Sequence, residues 1–140
     1  NIYNHHDLSE MGLYPCAYSM TFNVTQGENG KLVLNGILNQ RSQDMLAANG
    51  WNIAQYAILL MMVAQVNNMV AGELIHVIAD AHIYDRHVPI IEELIERPQY
   101  EAPKFWLNPD IKDFYQFTRD DVKVENYITG PQILNIPIAI

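Results

Sequence analysis

Cysteine is almost absent from this sequence: Cys16 is the only one in 140 residues. No disulfide can form within the chain, and a lone thiol fits a reducing, cytoplasmic compartment. Basic residues are also few. Eight Lys and Arg against sixteen Asp and Glu give a formal charge of −8. Those eight are scattered and form no basic stripe, so a nucleic acid polymer is not an expected partner. A small anion remains open, because one or two arginines bind a phosphate whatever the net charge. Long apolar runs are missing too. The longest, Tyr56 to Ala64, has nine residues, whereas a membrane-spanning helix needs about 20, so no membrane partner is expected. No glycine-rich phosphate loop is present. His5, His6, His76, His82 and His87 show neither helical H-x-x-x-H spacing nor a cysteine partner, so no metal is expected.

What is present describes a globular chain. Hydrophobic residues make up 49% and charged ones 17%, far from a disordered composition. A chain of this length predicts one domain that buries roughly two-thirds of its unfolded surface. "AYSMTFNV" alternates, with Tyr18, Met20, Phe22 and Val24 on one face, as a half-buried strand does. "TQGENGK" reads as a turn with Asn29-Gly30 at its tip. "LVLNGIL" reads as the return strand, with a bulge at Gly36. Asn52 to Met69 lacks Gly and Pro and is apolar nearly all round, which predicts a deeply buried helix ended by Gly72. "ELIHVIADAHIY" reads as one strand that places Leu74, His76, Ile78, Asp80, His82 and Tyr84 on one face. Asp85 to Arg97 predicts a second helix, with Pro89 in its first turn. "KFWL", "VKVENY" and "IPIAI" read as short strands and turns. The fold class is α+β: a mixed or antiparallel sheet packed on a long buried helix.

Several residues could carry chemistry, and each also has a plainer reading. Asp80, His82 and Tyr84 form a row that could grip a sugar hydroxyl, or a strand end emerging into solvent. Cys16 is a small buried hydrophobe or, with a cation beside it, a nucleophile. Arg41 lies 25 residues further on, in the partner strand of the expected hairpin. Arg41 and Ser42 offer a planar fork and a hydroxyl to a phosphate, or a solvated surface. Asn52 either reads a lactam edge such as uracil's or caps the buried helix.

The order of "YPCAY", "NQRSQD", "WNIAQYAILLMMVAQ", "GELIHVIADAHIYDRH" and terminal "IPIAI" resembles the C-terminal half of thymidylate synthase, in a version close to a less common bacterial and phage branch. The resemblance covers essentially the whole chain. It implies reductive methylation of dUMP to dTMP with 5,10-methylenetetrahydrofolate as co-substrate, no metal, and a homodimer joined through a sheet face. By position, Cys16 matches the nucleophile that attacks C6 of the pyrimidine. Arg41 and Ser42 match the phosphate binders, the arginine also activating the thiol. Asp44 matches an aspartate that touches the pyrimidine through its backbone and lies near the folate. Asn52 matches the reader of the uracil edge, and His82 and Tyr84 the pair on the ribose 3′-hydroxyl. Asp80 matches an aspartate in or beside the site, and Ile140 ends the flap over the folate. Implied catalytic residues are thus Cys16, Arg41, Asp44 and Asn52.

The chain departs from the family pattern at Ala17, usually His, and at Ala48, usually Gly, and its first hairpin is a few residues longer. The resemblance also implies that residues 1–140 are the C-terminal portion of the fold. The N-terminal portion, with a catalytic glutamate, an aromatic wall for the folate and further arginines, would lie outside this chain, and the fragment alone would be a poor enzyme. Two other readings stay open. A deoxycytidylate hydroxymethylase would carry Asp where this chain has Asn52. A non-catalytic nucleotide-binding or dimerisation fragment would lack the acid–base half.

Overall fold

The computed structural model describes residues 3–138, apart from the side chain of Asn29. They fall into two compact units, the first ending at His82 and the second beginning at Ile83.

The first unit starts from a hairpin. Strand β1 (Ala17–Gln26) pairs antiparallel with β2 (Leu32–Gln40). The turn between them places Gly30 at φ 74°, a conformation that a residue with a Cβ adopts only under strain. Alternation along β2 buries Leu34, Leu38 and Gln40 on one face. Pairing slips between Ala17 and Ser19. This bulge brings Ala17 into the core beside Leu38, on the side Met20 also packs against. The irregularity expected at Gly36 falls beside it, between Leu34 and Gly36 in the pairing of β2 with the next strand. Gly36 has a packing reason as well. A Cβ there would lie 2.7 Å from Met20 Cε and 3.4 Å from Leu60 Cδ1.

After β2 the chain runs through a two-residue strand, β3 (Gln43–Asp44), into helix α1 (Asn49–Val66). The helix begins three residues before the expected start and ends three before the expected end. Its N-cap residue is Ala48, with no side-chain cap bond, so Asn52 is not the helix cap. Gly72 does not end it either. Asn68, at φ 54°, turns the chain, and the amides of Asn68 and Met69 return to the carbonyls of Gln65 and Ala64. That is a Schellman ending with asparagine in place of the usual glycine. Tyr56, Leu60 and Ala64 form the helix's buried stripe. Leu60 and Ala64 pack with Leu34, Tyr56 with Leu38 and Ala17. The other faces of α1 are less covered, and Trp51 is 81% exposed.

Strand β4 (Val70–Ile78) pairs parallel with β2, completing a mixed sheet in the order β1-β2-β4. The single strand expected through Tyr84 is broken here. β4 ends at Ile78, and only Ala81–His82 (β5) resumes, pairing parallel with β3. The cause lies in the neighbouring chain. β2 itself ends at Gln40, and the ladder crosses the gap by Ala79 N to Gln40 O (3.0 Å) and Gln43 N to Asp80 O (2.8 Å). Both chains kink together, so Asp80 falls between strands and Tyr84 beyond them.

The second unit opens with a 3-10 turn, Asp85–His87, leading into α2 (Val88–Ile95), with Pro89 in its first turn. β6 (Lys104–Leu107) and β7 (Val122–Glu125) form an antiparallel pair, with Lys123 over the Trp106 ring at 4.7 Å. The segment near the end is tied back to this unit. His87 Nε2 meets Pro137 O at 2.9 Å, and Arg97 Nη1 donates to Pro131 O at 2.7 Å. The expected strand at "IPIAI" does not form over its described residues, 136–138.

Candidate active site

The hairpin register decides where the thiol sits. Ala17 opposes Gln40, so the next residues outward, Cys16 and Arg41, meet at the hairpin mouth. Arg41 N donates to Cys16 O at 2.9 Å. The guanidinium then reaches over the segment that leads into the thiol: Nε donates to Pro15 O (3.2 Å) and Nη2 to Tyr14 O (2.6 Å). These bonds use two of the five N–H donors of a guanidinium. Cys16 is half-buried and not in a disulfide. A cleft of about 520 Å³ is lined by Arg41 and by Met11, Gly12, Leu13 and Tyr14 of the segment that leads to Cys16; Cys16 itself does not line it.

The shared kink gathers more of the expected residues. Ser42 lies in it, and Asp44 follows in β3. Asp44 Oδ1 accepts from the amides of Leu46 (2.9 Å) and Ala47 (3.0 Å), organising the turn that starts α1. Asn52 lies in the first turn of that helix, half-buried, its Oδ1 accepting from Gln40 Nε2 at 3.2 Å. His82 is the register partner of Asp44. Its Nδ1 lies 3.3 Å from Asp80 Oδ2, and the Asp80 side chain is 66% exposed. Cys16, Arg41, Ser42, Asp44, Asn52, Asp80 and His82 therefore all belong to the first unit. Tyr84 belongs to the second, its ring edge-on to His87 at 5.5 Å. Ile140 lies outside the described residues.

Sequence reasoning passed over the polar core beneath these groups. Gln40 and Gln43 are buried, at 2% and 0% exposure. Gln40 Nε2 donates to Gln43 Oε1 and, at 2.8 Å, to Ser42 O. Gln40 Oε1 meets His76 Nε2 at 2.9 Å. Gln43 Nε2 has no partner among the described residues. Burial disfavours the charged imidazole of His76 and lowers its pKa below 6.5. The signal was available: by alternation, Gln40 shares the face of Leu34 and Leu38, and His76 that of Leu74. A polar residue at a core position needs a partner.

Among the described residues no three His, Cys, Asp or Glu side chains group as metal ligands, and no helix is long and apolar enough to cross a membrane.

A family model described as thymidylate synthase matches residues 1–140. The thymidylate synthase of Bacillus phage phi3T is 44% identical over 133 residues, covering 95% of this chain and 46% of that protein. Thymidylate synthase 1 of Bacillus amyloliquefaciens is 41% identical over 138 residues, covering 98% and 58%. The solved structure of thermostable thymidylate synthase A from Bacillus subtilis superposes with a TM-score of 0.83 at 41% identity, over 96% of this chain and 47% of that one. The chain spans about half the length of the curated relatives it matches.

Proposed function

Because this chain belongs to the thymidylate synthase family, we propose that its residues serve the reductive methylation of dUMP to dTMP, with 5,10-methylenetetrahydrofolate as co-substrate. The observation that carries this reading is the backbone pairing of Cys16 with Arg41 at the hairpin mouth, the Arg41 side chain lining an open cleft. The Cys16 thiolate adds to C6 of the pyrimidine, and the electron pair of the C5=C6 bond moves toward C5 and O4. Asn52 holds the lactam edge, its Nδ2 donating to O4 and its Oδ1 accepting from N3–H. The remaining donors of Arg41 and the Ser42 hydroxyl hold the phosphate, and the backbone around Asp44 borders the base. His82 and Tyr84 take the ribose 3′-hydroxyl. When bound, the folate supplies the one-carbon unit and the hydride. C5 gives up its proton, and the bond from sulfur to C6 breaks.

The exposed Asp80 carboxylate suits the amino and N–H donors of a reduced pterin. Asp44 is a poorer fit through its side chain, because its Oδ1 already accepts two backbone amides. Asp80 with the Asp44 backbone is therefore the proposed contribution to the folate site; Ile140 is proposed for the folate on the family's pattern alone. Residues 1–140 are proposed as the C-terminal portion of the fold, in a cytoplasmic homodimer. The outer face of β4, where Ile75 is 50% and Val77 47% exposed, supports a sheet-to-sheet contact with a second copy.

Incubation with 5-fluoro-dUMP and 5,10-methylenetetrahydrofolate, followed by intact mass, tests the reading. A covalent adduct is expected and should vanish in Cys16→Ser. A well-folded protein in its full-length context that forms no adduct would defeat the assignment.

A further inference from the structure

Three polar side chains link the sheet to the helix inside the first unit, and the reaction above uses only one of them. His76 is half-buried on the core side of β4. Gln40 ends the neighbouring strand, with Leu38 opposite His76 and Gln40 opposite Ile78. Asn52 approaches from the first turn of α1. The bond from Gln40 Nε2 to Ser42 O, at 2.8 Å, sets the sense of the whole chain. A carbonyl only accepts, so the Gln40 amide cannot be turned the other way without losing this bond. Oε1 is then the atom 2.9 Å from His76 Nε2, and the imidazole must carry its proton on that nitrogen. Gln40 Nε2 also faces Gln43 Oε1 and, at 3.2 Å, Asn52 Oδ1; its two hydrogens are shared among three acceptors, so Asn52 Oδ1 is an acceptor and Nδ2 is left as the donor end.

We propose that His76 is a positioning residue for base selection: acting through Gln40, it holds the Asn52 carboxamide with Nδ2 offered to the ligand. The proposal rests on the dUMP reading above and names what makes that site choose uracil. A donor Nδ2 meets the keto oxygen at C4 of uracil and clashes with the amino group at C4 of cytosine. With the imidazole N–H removed, Ser42 O and Gln43 Oε1 are left to oppose rotation of the Gln40 amide. A rotated Gln40 presents Oε1 to Asn52, draws Nδ2 inward and leaves Oδ1 outward, which suits an amino donor. The pKa of His76, already lowered by burial, keeps the imidazole neutral near pH 7. Protonation would add a proton at Nδ1 and leave the Nε2–H bond in place.

The test uses the full chain, with His76→Leu and with His76→Gln, whose carboxamide N–H can stand in for the imidazole's. Side-chain amide 15N–1H spectra should show the Asn52 pair displaced in His76→Leu and restored in His76→Gln. By calorimetry, the ratio of dUMP to dCMP affinity should fall roughly fivefold or more in His76→Leu and recover in His76→Gln. A folded His76→Leu protein with an unmoved Asn52 pair, or with an unchanged ratio, overturns the proposal. Should that variant not fold, the imidazole 15N spectrum of the unaltered protein decides: Nε2–H is required, and Nδ1–H overturns the relay. A displaced Asn52 pair in a chain that binds neither nucleotide supports the positioning while sinking the dUMP reading.

Discussion

Asn52 differs from aspartate by one atom group, and that group separates two ligands. With Nδ2 replaced by an oxygen, the side chain accepts at both ends. Asn52→Asp should therefore weaken dUMP binding by about 1–3 kcal/mol and favour dCMP, measured by competition calorimetry. Arg41→Lys should be harsher than its conserved charge implies. A lysine ammonium cannot bridge the Tyr14 and Pro15 carbonyls and still present a planar fork. Loss of the 5-fluoro-dUMP adduct rate, at retained folding by circular dichroism, is the expected result. His76 and Tyr56 set two edges of a stability profile. The unfolded chain protonates His76 near 6.5, while the folded chain resists until lower pH. Its share of stability is complete above that value and lost as pH falls below it. Burial raises the Tyr56 pKa above 10, so its share is present below pH 10 and lost as pH rises beyond. Urea melts at stepped pH should show both limbs, the acid one blunted in His76→Gln. Among these residues Cys16, Arg41 and Asn52 were legible as types. Gln40 was not, because a glutamine at the end of an apolar strand looks like the strand's exit.

Elements with a clear period were placed correctly, although in β1 Tyr18, Phe22 and Val24 are exposed rather than half-buried; elements shaped by neighbours were not. The β1–β2 hairpin follows from alternation plus Gly30. The start of α1 was hidden because Asn49-Gly50 resembles a loop. The backbone enters the helix there because Asp44 organises the preceding turn and Ala48 N returns to Asp44 O at 3.1 Å. The break in "ELIHVIADAHIY" has only a weak local signal, Ala79-Asp80-Ala81, whose residue types are depleted in strands. It arises because the paired chain kinks at Arg41 and Ser42, a tertiary fact. Leu60 is the element-scale keystone of the first unit, packed on Leu34 and Ala64. Leu60→Ala should cost about 2–5 kcal/mol, read from denaturant midpoints, with larger loss if Met20 cannot fill the space.

At the scale of the molecule, the family and mixed-sheet fold follow from motifs spread along the whole chain, and the same motifs name the candidate residues, while their meeting in space does not follow from them. Arg41, Ser42 and Asp80 fall at the joint where β2 and β4 end together. The exposed Ile75 and Val77 predict self-association. A Val77→Asp protein should run at half the mass of the parent by light scattering, with its circular dichroism unchanged. The parallel pairing of β2 with β4 carries one more consequence. During synthesis the hairpin leaves the ribosome before β4, with the side of β2 that β4 pairs unclaimed until the whole crossover has followed. Over that interval, a foreign strand could zip onto the same ladder. Slow translation through Asn49–Val66 should therefore raise the yield of insoluble product, and faster codons there should lower it.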